Sequence, residues 1–210
     1  AGTDITVTLA DDAGNNETDL TIAYSGAGGG STPYSLCQGR LTLTTGVPVT
    51  TSDVTAAATL YFTPYKGNQI GLYNGSAWEM KTFSEISLSL SGYTASTPYD
   101  IWAYNNSGTV ALESTAWTND TTRATALTTQ DGVYVKSGAT TRRYLGTIRI
   151  TGTTGQTEDS LTKRYVWNYY NREHRALRRL ETTDNWSYAT ATWRQANNST
   201  SNQVNVVIGV

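Results

Sequence analysis

YDIWAYNNSGTVALESTAWTNDTTRATALTTQDGVYVKSGATTRRYL, residues 99–145, is the stretch whose reading decides the fold. It opens in period-two alternation, which sets Tyr99, Ile101 and Ala103 on one side of an extended chain and Asp100, Trp102 and Tyr104 on the other. Asn105-Asn106-Ser107-Gly108 then supplies residues that tolerate φ > 0 in a tight reversal, so residues 109–117 form the returning strand. A polar turn at Asn119-Asp120 and a second reversal at Asp131-Gly132 separate further apolar segments. Strand after strand on short polar connections is a meander, and it makes the chain all-β.

Outward from there, the same signals recur. Residues 4–10 alternate cleanly, DDAGNNE is turn chemistry, and Leu20, Ile22 and Tyr24 resume the alternation, which predicts an N-terminal β-hairpin. SGAGGGST, residues 25–32, has the composition of a flexible linker. The chain is therefore divided into residues 1–30, a hairpin and linker acting as an anchor or trimerisation stem, and residues 31–210, the main domain. Strands are predicted at residues 40–45, 59–63, 69–73, 77–81, 85–90, 101–104, 109–117, 133–136 and 143–150, with Asn74-Gly75 in a type I′ hairpin turn. Residues 159–170 are ambiguous, although Tyr165-Val166-Trp167 favours extended chain. Residues 175–180 fit a short strand or a helical turn, and Trp186, Tyr188 and Trp193 are placed on a final hairpin before residues 204–208. Many short strands, with no helix longer than two turns, predict a jelly-roll-like β-sandwich.

Composition narrows the function classes. Charged residues are only 15%, against roughly 25% in an average soluble domain, so Thr, Ser, Asn and Gln carry solubility. A neutral polar exterior suits an extracellular or particle-bound protein better than a metabolic enzyme. Net charge is −2, which gives no field to draw in nucleic acid. The charge is unevenly spread: residues 1–135 carry −8 and residues 136–210 carry +6. Pairing of opposite ends between neighbouring domains or subunits is the simpler reading, and a polyanion site on the basic half is the other. The single cysteine, Cys37, excludes an intramolecular disulfide and reads as a small buried apolar residue. No apolar run approaches the ~18 residues of a spanning helix, so no membrane insertion is expected.

No constellation in the chain carries chemistry. His174 has no second His and no Cys partner, and no nucleophile elbow, phosphate loop or zinc motif occurs. No catalytic residue, metal or cofactor is therefore assigned. Fourteen Tyr and six Trp belong first to core and cross-strand packing. Beside turns they have less packing to explain them, so Tyr73, Trp78, Tyr104, Asn105 and Asn106 are the candidate contacts for a glycan or receptor. Arg164, Arg172, Arg175, Arg178 and Arg179 form the densest basic cluster, read as docking to a subunit or partner.

RLTLTTGVPVTTSDVTAAATLYFTPYKGNQIGLYNGSAW (residues 40–78), WTNDTTRATALTTQDGVYVKSGATTRRYLGTIR (117–149), KRYVWNYYNR (163–172) and WRQANNST (193–200) carry a further signal. Together they resemble a β-rich structural, fibre-like protein family of tailed bacteriophages, over residues 32–210. The preceding hairpin resembles the short β elements that join a trimeric fibre shaft to its head. The resemblance implies a homotrimeric virion protein at the particle surface, in contact with capsid or tail proteins and a host surface glycan. It brings no catalytic residues, and members of the family continue past NNSTSNQV. The expected function is a fibre or spike domain acting in adsorption or particle decoration. A capsid decoration protein docking to the head lattice is the close alternative. A carbohydrate-binding module, monomeric with an exposed row of aromatics, is the alternative of another class.

Overall fold

The computed structural model describes residues 34–210 and the backbone of β1 (Ile5–Asp12) and β2 (Glu17–Tyr24). The chain divides into two compact units, Ala1–Thr32 and Pro33–Val210. In the first, β1 and β2 pair antiparallel from Ile5 opposite Tyr24 to Asp12 opposite Glu17. The Gly-rich linker lies outside the described residues.

The second unit holds β3 (Gly39–Thr42), β4 (Val54–Ala57), β5 (Thr59–Pro64), β6 (Gln69–Tyr73), β7 (Trp78–Thr82) and β8 (Ile86–Ser89). There follow β9 (Pro98–Asn106), β10 (Thr109–Asn119), β11 (Thr122–Arg123), β12 (Leu127–Gln130), β13 (Val133–Lys136) and β14 (Ala139–Arg149). The last are β15 (Thr157–Asp159), β16 (Lys163–Arg164), β17 (Val166–Asn168) and β18 (Asn205–Val206). Among the described residues the only helical element is a 3-10 turn, Ala196–Asn198.

Turn chemistry sets the hairpins. Ser107 and Gly108 take φ of 51° and 97°, and Asp131 and Gly132 take 50° and 80°. Asn106 pairs with Thr109, and Gln130 with Val133, across these two-residue turns. Two successive positive φ values give the twist that matches right-handed strands. Asn74-Gly75 departs from the expected type I′ turn. Tyr73 pairs with Trp78, which leaves a four-residue loop in which Gly75 alone has positive φ, 103°. The Asn74 carboxamide oxygen accepts the N–H groups of Ser76 and Ala77, both at 2.8 Å, and so closes the loop from its side chain.

β9 to β11 form one meander and β12 to β14 another. They join where β14 lies antiparallel to β9, giving the order β11-β10-β9-β14-β13-β12. β17 pairs with β14, Gly146 opposite Asn168. The sheets are strongly curled, and β3-β5-β8 and the β6-β7 hairpin pack on the large one as a β-sandwich. A further sheet, β18-β16-β15-β4, contains the parallel pair β16–β18. Leu41, Leu60, Phe62, Ile70 and Leu72 meet Tyr99, Ile101, Ala103 and Ile148 in the core. Each such aliphatic or aromatic side chain contributes about 1.5–3 kcal/mol by leaving water.

β9 is buried on both faces. Opposite the core, Trp102 and Tyr144 are fully buried and Asp100 is 1% exposed. Asp100 accepts Arg123 Nε at 2.8 Å and the Thr147 hydroxyl at 2.7 Å, and the Tyr144 hydroxyl lies 2.6 Å from that of Thr147. Arg123 stacks on Trp117 at 4.4 Å and also donates to the Gly209 carbonyl. Arg143, 1% exposed, is a lock between layers. Its guanidinium donates to the carbonyls of Tyr34, Ser35, Leu36 and Gly71 and lies over the Tyr170 ring at 4.6 Å. Cys37 is buried beside it, and burial pushes its thiol up to about 11, so it is an inert packing residue.

One predicted element does not form. Among the described residues no strand lies between Asn168 and Asn205, so Trp186, Tyr188 and Trp193 are not on a hairpin, and residues 175–180 are neither strand nor helical turn. The alternation of Trp186 and Tyr188 imitates a strand, but no neighbouring strand completes a ladder.

Candidate functional site

Residues 172–204 leave the sandwich as a long irregular arm. Its root is fixed by Asn171, which has φ of 51°. The Asn171 amide donates to the carbonyls of Cys37 and Gly39 at 2.8 and 3.0 Å, while its own carbonyl accepts Arg40 at 2.8 Å. Arg175 reaches Thr50 at 3.0 Å and Asp159 at 3.3 Å, and the Arg178 N–H donates to the Leu161 carbonyl at 2.8 Å. Beyond that point the arm holds only itself. Among the described residues, every hydrogen bond of residues 179–203 closes within residues 179–205.

Among the mostly polar residues that the arm shows to solvent are several large apolar ones. Trp193 is 101% exposed, Leu180 61% and Trp186 43%, and Leu177 and Tyr188 are exposed as well. Val204, Val206 and Ile208 continue the exposed apolar surface into the returning chain. Aromatic side chains carry about 150–250 Å² each, so this surface is on the order of several hundred Å². A specific interface buries about 800 Å² per partner. Fixing the backbone costs about 1–2 kcal/mol per residue. Irregular segments longer than about 12–15 residues are functional loops or linkers. The arm therefore has the character of half an interface: among the described residues nothing covers the Trp193 indole.

The predicted docking arginines divide in two. Arg164, Arg172 and Arg175 come together at the arm's root, where Arg164 pairs with Asp159 at 2.8 Å and Arg172 stacks on Trp167 at 4.9 Å. Arg178 and Arg179 are exposed further along the arm. Among the described residues Arg178 makes no side-chain pair, and Arg179 reaches only Asn202, at 3.3 Å. Sequence reasoning missed Arg40 at this root, since it comes from β3, more than a hundred residues away. Burial, then the neighbouring Arg175, hold the Arg40 guanidinium below its usual range.

The predicted glycan contacts do not form one platform. Trp78 stacks on Tyr34 at 5.6 Å, lies tilted against Tyr73 at 5.5 Å, and donates its indole N–H to Asp131 at 2.8 Å. Tyr104 lies beneath the Arg142 guanidinium at 4.1 Å. Asn105 accepts the Gly108 N–H at 2.7 Å to hold its turn, and Asn106 is exposed. Arg143 reaches back to Gly71 of the β6-β7 hairpin, whereas its strand neighbour Arg142 covers Tyr104. Consecutive strand residues point to opposite faces, so Tyr104 lies on the face of the large sheet away from the β6-β7 hairpin. The most exposed aromatics, Trp193 and Trp186, lie on the arm, and no sequence signal distinguishes them from packed ones.

No protein-family model, curated protein or solved structure matches the chain. Function is therefore read from the chemistry of the molecule itself.

Proposed function

We propose that this protein is a non-enzymatic structural component that works as a homotrimer, each arm lying on the neighbouring copy, at the surface of a tailed-phage virion. The observation that carries the assembly reading is the arm, whose Trp193 indole has no partner surface among the described residues and whose Leu180, Trp186 and Tyr188 stay partly open to solvent. The placement on a virion, in contact with capsid or tail proteins, rests on the sequence resemblance of residues 32–210. The low charge of 15% is consistent with a particle exterior. In this reading the sandwich is a rigid body, and three copies at fixed spacing turn weak contacts with a surface glycan into strong avidity. Sedimentation equilibrium of the full chain tests the assembly: a trimer supports it, and a monomer at every accessible concentration refutes it. Antibody labelling of particles then separates head decoration from tail fibre.

The exposed Trp186, Tyr188 and Trp193 also favour the carbohydrate-binding module as a second reading. Precise recognition wants rings held by a rigid scaffold, and hydrogen bonds do not tie this part of the arm to the sandwich. Glycan binding by a monomer, lost in Trp193→Ala, would favour it.

A further inference from the structure

At the root of the arm lies a cavity of about 280 Å³ whose charges do not balance. Four guanidinium groups line it, those of Arg40, Arg164, Arg172 and Arg175, against two carboxylates, Asp159 and Glu173. Asp159 is shared: one oxygen lies 2.8 Å from Arg164 and the other 3.3 Å from Arg175. Glu173 accepts the Tyr65 hydroxyl at 2.5 Å and, among the described residues, pairs with no arginine.

Arg40 and Arg172 have no carboxylate partner among the described residues. Arg40 is 6% exposed and donates to the carbonyls of Pro48 and Asn171, both at 2.8 Å. Arg172 donates to the Tyr169 carbonyl at 3.2 Å and spreads over the rings of Trp167 and Tyr169. Carbonyl dipoles solvate a guanidinium without neutralising it. Arg40, withdrawn from water and crowded by other guanidinium groups, costs stability unless an anion joins it, and the exposed Arg172 stands free to meet that anion. The same strain shows in Arg40 and Arg175, both held below their usual range first by burial.

We infer that this cavity is a binding site for a compact oxyanion, a carboxylate or sulfate group, carried by an acidic sugar. Guanidinium forks match the paired oxygens of such groups. Leu177, Val206 and Ile208 in the lining give the sugar ring an apolar wall. The volume is near the lower end of the ~300–1,000 Å³ of ligand pockets, so it suits a single residue rather than an extended chain. The site borders the arm's apolar surface at Leu177, Val206 and Ile208, but its arginines do not belong to that surface.

The test is isothermal titration of the full chain with glucuronate, glucose 6-sulfate, inorganic sulfate and glucose, at constant ionic strength in chloride. The site predicts saturable binding of the acidic sugars, one per chain, with glucose at least ten-fold weaker. Arg172→Ala and Arg172→Gln should each lower that affinity at least ten-fold, while Lys81→Ala, on β7, leaves it unchanged. Arg172 is exposed, so a thermal melt within a few degrees of the parent confirms that lost binding is not lost fold. Inorganic sulfate binding as tightly as the acidic sugars would overturn the sugar assignment. No saturable binding of any anion, or binding by both Arg172 variants as tight as the parent's, would overturn the site. Sedimentation of the same samples keeps this outcome separate from assembly: a trimer that ignores the anions sinks the site and leaves the proposed function standing.

Discussion

Replacing Arg143 by Met removes a fixed set of bonds with little change of volume. In the native chain one guanidinium satisfies the carbonyls of Tyr34, Leu36 and Gly71 at 2.7, 3.0 and 2.7 Å, and that of Ser35 at 2.7 Å. The Leu36 carbonyl keeps another partner, the Gly71 N–H at 3.0 Å, so it loses least. The buried Gly71 carbonyl and the half-buried Tyr34 carbonyl lose a charged donor, whereas Ser35 is exposed and its carbonyl turns to water. Each buried acceptor left unmet costs about 1–3 kcal/mol, and the relief of an unpaired buried guanidinium returns part of the sum. A net loss of roughly 3–5 kcal/mol follows, or about 6–20 °C in Tm for a unit of this size. Chemical denaturation of Arg143→Met measures it, and Arg143→Lys should recover only a fraction, because an ammonium on a flexible stem cannot span four acceptors. A loss below about 1 kcal/mol in Arg143→Met would refute the lock.

Three further outcomes are expected. Trp193→Ala should weaken self-association at least ten-fold while leaving the melting of the separated chain unchanged, since the indole is wholly exposed there; gel filtration over a dilution series reads this. Gly209→Ala should drive the C-terminal strand off the sandwich, because a methyl there overlaps the hydroxyls of Tyr144 and Thr147; hydrogen exchange at the Val207 amide, which donates to the Arg164 carbonyl at 3.0 Å, should rise. At Glu113, burial pushes the carboxyl up, but the Lys136 and Arg142 donors outweigh it and hold the carboxyl below its usual range. A depressed folded pKa gives stability that is present above the unfolded value and is lost as pH falls. The stability gap between the parent and Glu113→Gln should therefore close on acidification from about pH 6 to about pH 3, and a gap that widens would contradict the pairing.

Much of the sandwich is legible because its signals are local. Ser107-Gly108 and Asp131-Gly132 announce φ > 0, and Ile101 and Ala103 alternate with residues of the opposite face. Strands β4, β12 and β15 read VTAA, LTTQ and TED, with no apolar alternation to announce them; neighbours recruit them by backbone pairing. The burial of Asp100 and Trp102 was not legible either, because Arg123, Tyr144 and Gly209 cover them from distant parts of the chain. The sequence shows the cluster of arginines at residues 164–179 as a basic segment. Its division into a closed root and an exposed arm depends on Arg40 and Asp159, which only folding brings near. The arm itself was misread for a physical reason: alternating aromatics look alike whether they pack in a ladder or await a partner.

The most direct test of the assembly account is hydrogen exchange across residues 179–203, combined with the sedimenting mass of the same sample. The account predicts a trimer in which these amides and the Trp193 indole are protected, with protection lost on dilution to monomer. A stable monomer that leaves Trp193 in water, or a trimer in which the arm exchanges freely, would contradict it.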